Sequence, residues 1–485
     1  MTISTWFRSP RVRRGIALSA VVLATGGLVL YRAPASADPG GLSSYTSRTP
    51  GTLVAGKNSA TFSGPGIRGM VSLSHTSVLA GDDTSIFADV RVVADQVGSR
   101  DEKRAPISLA VVLDTSGSMS GEKIEEARRS VLRLVSEMRD DDEIAVIRYS
   151  DSSELVQPLA RVGSVRGPLS SKIRQLDAAG GTNIPGGLSH GARALDEAAR
   201  GRVRRIVLVS DGLDNTRAQA EGLARTSFAS GITVSSMGIG LDFDESYMGS
   251  LAQHGHGNFA FVKDGASLAS FLHRELEETA TTTIENARVR LRLPEGTRFV
   301  SASGADAVVN GSDVELVMGS LFAGDERRVV VELTAVGRSG ISSRDFDAQA
   351  SWNPVGSSEL MTARASRLTL VTTNDASEVE RGKDGSVMAS AVSVLASRRQ
   401  VEAAAAYAQG DVTRAAQITD KNERDLAGAR AAAPEAAATA LDSQMQAYRE
   451  AKKQFVSVKP SSNEGRAAAK AGAAKDLSNL GRSTF

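Results

Sequence analysis

Between residue 107 and about residue 280, short apolar runs alternate with helix-length segments, and this alternation constrains the fold more than any other feature of the chain. "ISLAVVL" (107–113), "EIAVIRY" (143–149), "RIVLVS" (205–210), "ITVSSMGIG" (232–240) and "NFAFV" (258–262) are short and rich in β-branched residues, as strands covered on both faces are. Between them, "EKIEEARRSVLRLVSEM" (122–138) places Ile124, Ala127, Val131, Leu134, Val135 and Met138 on one helical face. "SSKIRQL" (170–176), "LSHGARALDEAA" (188–199), "RAQAEGLARTSFAS" (217–230), "ESYMGSLAQ" (245–253) and "ASLASFLHRELEET" (266–279) read as further helices. The pattern predicts an α/β unit over residues 105–282, a doubly wound, mostly parallel sheet of Rossmann-like type. Such sheets bind ligands at the carboxyl ends of their strands. Asp114 and Asp211 each stand just past a strand end.

The flanks read differently. In "SIFADVRVV", and again in "ARVRLRLP", apolar and polar residues alternate with period two, as in an antiparallel sheet with one wet face. The strands before residue 107 are too few to bury a core of their own. Residues 61–104 and 283–372 are therefore predicted to form one β-sandwich into which the α/β unit is inserted. Residues 376–456 predict a helical region of Ala-rich helices broken at Gly410-Asp411 and Pro434. The polar, Ala/Ser/Gly/Lys-rich stretch 457–485 is expected to be a disordered tail. Residues 38–60, rich in Gly, Ser, Thr and Pro, are expected to be a linker.

Residues 1–37 read as an export signal. Arg8, Arg11, Arg13 and Arg14 precede an uncharged, mostly apolar run from Gly15 to Tyr31, and Ala35-Ser36-Ala37 has the form of a cleavage site. As a helix the run would be about 25 Å long, so it is expected to act as a cleaved signal peptide or as an N-terminal membrane anchor. The expected location is the periplasm, the cell envelope or the exterior.

Composition removes several classes of chemistry. No cysteine is present, which excludes disulfides, thiolate metal sites and cysteine nucleophiles. Lys plus Arg number 57 against 56 Asp plus Glu, so no basic excess supports nucleic-acid binding.

Three segments fall at strand ends or in loops on the carboxyl side of the predicted sheet: Asp114-Thr115-Ser116-Gly117-Ser118, Gly180-Gly181-Thr182-Asn183-Ile184 and Ser210-Asp211-Gly212. Together they offer two carboxylates and several hydroxyls, with no imidazole or thiolate. Such hard oxygens suit Mg²⁺, Mn²⁺ or Ca²⁺. "DTSGS", "GGTNI" and "SDG", in that order, resemble the three segments of the metal-ion-dependent adhesion site of von Willebrand factor type A domains. The resemblance covers about 107–280. It implies a metal set of Asp114, Ser116, Ser118, Thr182 and Asp211, with a coordination position open to a Glu or Asp of a partner protein. It therefore implies adhesion or envelope assembly and no enzymatic activity, with Met119 and the loops around it shaping the contact surface.

Other readings compete. Ser116 and Ser118 could simply cap the following helix. "GLSHG" (187–191) fits the nucleophile elbow of serine hydrolases at Ser189, but a Gly/Pro loop precedes it where that motif needs a strand. His254 and His256 in "QHGHG" lack an evident third ligand. "DFDES" (242–246) lacks the glycine and closing glutamate of a calcium loop, and "GGTNIPGG" lacks the Lys-Ser/Thr of a phosphate-binding loop. Asp214 and Asn215 could tune a metal or form a polar turn. A structural envelope protein stiffened by its metal is the alternative to metal-dependent binding. An ATPase-associated role fits poorly with export.

Overall fold

The computed structural model describes Leu53 and residues 55–96, 105–199, 201–211, 215–241, 243–262, 265–337 and 343–481. The expected export signal, most of the linker, and Gly212 and Asp214 lie outside the described residues.

Four strands come first: β1 (Ser59–Gly64), β2 (Ile67–Leu73), β3 (Ser77–Leu79) and β4 (Asp83–Ala94). The α/β unit follows, with β5 (Ile107–Asp114), α1 (Glu122–Glu137), β6 (Glu143–Tyr149), β7 (Ser153–Arg161), α2 (Val162–Arg174), α3 (Ile184–Asp196), β8 (Val203–Ser210), α4 (Arg217–Ala229), β9 (Ile232–Ile239), α5 (Glu245–His254), β10 (His256–Val262) and α6 (Gly265–Ala280). Its sheet runs β10-β9-β8-β5-β6-β7. The pairs from β10 to β6 are parallel, and β7 joins antiparallel at the edge.

Every residue of β5 is buried, because helices cover both faces of the sheet. Leu109, Val111 and Leu113 point into one core with Ala127, Val131 and Leu134 of α1 and with Leu268 and Phe271 of α6. Ala110 and Val112 point into the other, with Leu188 of α3, Ala224 of α4 and Leu251 of α5. Full burial of each large aliphatic side chain contributes about 1.5–3 kcal/mol, so this central strand is held from both sides. β7 and the first turns of α2 are absent from the sequence-based expectation, which has only a short helix at 170–176. β7 is a half-exposed edge strand carrying Pro158, and Pro168 lies inside α2. Both prolines weaken the local pattern.

Eight strands complete the sandwich: β11 (Thr282–Arg292), β12 (Thr297–Ser303), β13 (Asp306–Asn310), β14 (Asp313–Phe322), β15 (Glu326–Val336), β16 (Ser343–Pro354), β17 (Met361–Arg364) and β18 (Leu368–Thr373). One sheet runs β1-β2-β4-β15-β12 and the other β13-β14-β11-β16-β18-β3, with β17 beside β16. β4 pairs with β15 along its whole length, Val90 opposite Val329, so strands from before and after the α/β unit share a sheet. The two sheets enclose one core in which Trp352 is fully buried.

Five helices follow: α7 (Ala376–Arg381), α8 (Gly385–Ala408), α9 (Val412–Arg430), α10 (Glu435–Ser457) and α11 (Asn463–Gly481). α11 corrects the expected disordered tail. It docks through Ala469, Ala473 and Ala474, which are buried, and through Lys470, whose ammonium bonds Glu245 Oε2 at 2.7 Å and the Phe243 carbonyl at 2.5 Å. Small alanines and one buried ion pair leave little apolar periodicity to read. Among the described residues no helix is long and apolar enough to cross a membrane.

Candidate functional site

Asp114 is the last residue of β5, and the chain turns sharply after it. The Thr115 amide and hydroxyl both donate to the Tyr149 carbonyl, at 2.8 and 3.1 Å, which ties the turn to the end of β6. The Ala179 amide donates to the Thr115 carbonyl at 2.7 Å, and the Gly117 amide donates to the Gly180 carbonyl at 2.9 Å. These two bonds bring the Gly180–Ile184 loop against the Asp114–Ser118 loop. Gly180 has φ +88°, a conformation that favours glycine, and a side chain there would strike the Asp151 carboxylate.

The side chains then converge. The Ser116 amide donates to Asp114 Oδ1 at 2.8 Å, and the Ser210 hydroxyl donates to Asp114 Oδ2 at 2.7 Å. The Ser116 and Ser118 hydroxyls are 3.0 Å apart, and the Ser118 hydroxyl donates to Asp211 Oδ1 at 2.7 Å. The Lys123 ammonium, from the first turn of α1, pairs with the other oxygen of Asp211. Asp114, Ser116 and Asp211 are buried, whereas Ser118 is exposed. The result is a run of oxygens leading from a buried carboxylate to the surface. Burial raises the Asp114 carboxyl above its ordinary range; bonds from Ser116 and Ser210 pull it down, and the nearby Asp211 charge pushes it up again.

Four of the five residues in the implied metal set are thus linked by hydrogen bonds or adjacent in this network. Thr182 is brought beside them by its loop, half-buried, but makes no hydrogen bond to the other four. Ser210 belongs to the third candidate segment but not to the implied metal set, and Tyr149 and Lys123 have no place in the sequence reading of the site. Tyr149 sits at the end of β6 with its hydroxyl 3.4 Å from Asp114 Oδ2, and burial drives its own ionisation well upward. The strand-end positions of Ser210 and Tyr149 are the signal that could have found them. Lys123 carries no such mark.

The competing readings resolve locally. The residue capping α1 is Gly121, with no side-chain cap bond, and neither Ser116 nor Ser118 caps that helix. Ser189 lies inside α3, and its neighbour His190 pairs with Ser153 at 3.1 Å. Asp244 of "DFDES" caps α5, accepting from the amides of Ser246 and Tyr247. Asn183 caps α3 by accepting from the Gly186 amide at 2.9 Å. Asn215 is exposed. His254 and His256 do have a carboxylate, supplied from β13: Asp306 Oδ2 lies 3.2 Å from His254 Nδ1 and 3.9 Å from His256 Nε2. The far nitrogen of His254 is taken by Arg225, and burial lowers His256 to about 4. Met119 corrects the expected contact surface, since it is fully buried and packs into the core beneath the loop.

Among the described residues, no group of three or more His, Asp or Glu side chains is arranged to hold a metal. Any ion held at this face would therefore need hydroxyl ligands beside its two carboxylates. Two carboxylates and three hydroxyls are hard donors of the kind Mg²⁺ accepts, and Ser118 leaves the cluster open to solvent. The residues fit a divalent ion.

The model of the von Willebrand factor type A domain matches residues 108–274. The chain carries a von Willebrand factor type A domain over these residues. An uncharacterized protein of Synechocystis is 26% identical over 278 residues, covering 54% of this chain and 64% of that protein. YfbK of Escherichia coli, also uncharacterized, is 28% identical over 202 residues, covering 40% of this chain and 35% of its own length. The chain thus spans between about a third and just under two thirds of these relatives. The solved structure of a von Willebrand factor type A protein from Catenulispora acidiphila has a TM-score of 0.67 at 16% identity, covering 90% of this chain and 100% of that chain. The likeness is one of fold, and it extends past the type A domain to the sandwich and helices.

Proposed function

We propose that this protein is a metal-dependent protein-binding module of the cell envelope, non-enzymatic, in which Asp114, Ser116, Ser118, Thr182 and Asp211 hold a Mg²⁺. Domains of this family generally mediate protein–protein interaction and often bind a divalent metal. The observation that carries the metal reading is the oxygen run Asp114–Ser116–Ser118–Asp211 at the carboxyl end of the sheet, buried at one end and exposed at Ser118.

When bound, the ion would supply an electrophilic position for a carboxylate oxygen of a partner protein. The rest is done by the chain. Ser210 and the Ser116 amide hold the Asp114 carboxylate in one orientation. The hydroxyls are neutral donors, so the two carboxylates only balance a divalent charge and leave it attractive to a third. Lys123 neutralises Asp211 from the solvent side, so it competes with the ion for that carboxylate. The sandwich and helices are the scaffold on which this face is presented.

The test is affinity capture from the native envelope with Mg²⁺, with chelator and with Asp114→Ala. Partners retained with Mg²⁺ and lost in the other two arms are the expected result. The same partners in all three arms would overturn the reading.

A further inference from the structure

A cavity of about 450 Å³ opens between the start of α3 and α4, lined by Thr182, Asn183, Pro185, Ser189, Gln219 and Leu223, among others. Thr182 belongs both to this cavity and to the proposed metal set, so the two share that residue. We propose that the cavity is a specificity subsite that receives an uncharged polar side chain from the same partner segment that presents its carboxylate to the metal. This inference rests on the metal-dependent reading.

Three features carry it. First, size: the volume lies in the lower part of the range for small-molecule pockets, which is room for one or two side chains and not for a folded element. Second, chemistry: none of the lining residues is charged. Pro185 and Leu223 offer an apolar surface, while the Thr182 and Ser189 hydroxyls and the Gln219 side-chain amide make no hydrogen bond to other described residues. Asn183 is already engaged in capping α3. The cavity is open on one side, so a charged side chain entering it would give up part of its hydration with no countercharge in the lining, whereas Ser, Thr, Asn or Gln could exchange water for these three groups. Third, geometry: the subsite adjoins the metal position through a single residue. In an extended segment, residues two apart point to the same side, about 7 Å from each other. The acidic residue and the selected residue are therefore placed two positions apart.

The experiment is an array of synthetic peptides, each with one central Glu or Gln, with the residues two positions to either side varied, probed with the full chain in Mg²⁺ and in chelator. At one of the two positions, Ser, Thr, Asn and Gln are expected to outbind Lys, Arg, Asp and Glu by roughly tenfold, the factor expected when a charge gives up only part of its hydration. Ser189→Trp, which fills the cavity, brings that ratio close to one. The ratio is the readout, so a general weakening does not mimic the effect. Gln219→Ala, on the exposed surface of α4, is a second variant; it shifts the preference from amide toward aliphatic side chains. Mg²⁺-dependent capture of Glu peptides with no preference at either position, or with a preference that both variants leave intact, overturns the subsite and leaves the metal reading standing. Equal capture of Glu and Gln peptides with and without Mg²⁺ overturns the metal reading and the subsite with it.

Discussion

Two buried carboxylates sit in similar company and differ in what surrounds them. Asp114 in the type A domain is held by two serines with a tyrosine close by. Asp476 on α11 accepts from the Tyr448 hydroxyl at 2.8 Å, within a cluster that includes Ser397, Gln444 and Asn479. Burial raises both carboxyls. Around Asp114, however, a second carboxylate stands within reach and a line of hydroxyls leads to solvent at Ser118. Around Asp476 there is no second acid in the cluster, and helices α8 and α10 close it. A buried acid with hydroxyl neighbours is thus not by itself a metal site. The second carboxylate and the open side make the difference: the first cluster is suited to take up a cation and the second a proton.

The proton at Asp476 gives the largest expected effect. Burial moves this carboxyl from 3.8 to about 7. The folded state holds the proton more tightly than the unfolded chain, so stability falls as pH rises from about 4 to 7, and the loss is complete above 7. Asp476→Asn carries no charge at any pH. It is expected to be more stable than the wild type at pH 8, by on the order of 3 kcal/mol, and little changed at pH 4, measured by thermal or urea unfolding. An equal effect at both pH values would show that Asp476 is not buried as a neutral acid and would remove one side of the comparison.

A smaller effect sharpens the other side. If Lys123 competes with a metal for Asp211, Lys123→Ala should tighten Mg²⁺ binding about fivefold, the worth of a partly exposed ion pair. Weaker binding in this variant would instead make Lys123 a support for the site.

Much of this was legible in the sequence. The α/β alternation located β5 and β8, whose ends carry Asp114 and Asp211, because strands buried on both faces must be continuous apolar runs. The interleaving of β4 with β15 followed from there being too few strands on one side of the insertion to make a core. The illegible parts share a cause: they are held by contacts that leave no apolar period. Helix α11 docks with alanines, Lys470 and Asp476. Asp306 reaches His254 and His256 from a different sheet, and no local spacing could pair them. Met119 sits among hydroxyl-bearing residues, so it read as surface, yet the short helical turn Gly117–Met119 rotates it into the core. Lys123 looked like any charged residue on the outer face of α1.

The most direct test of the central claim is calorimetric titration of Mg²⁺ into the wild type, Asp114→Ala and Asp476→Asn. One saturable site is expected in the wild type, the same site in Asp476→Asn, and none in Asp114→Ala. Equal binding in all three, or loss of binding in Asp476→Asn with retention in Asp114→Ala, would contradict the account.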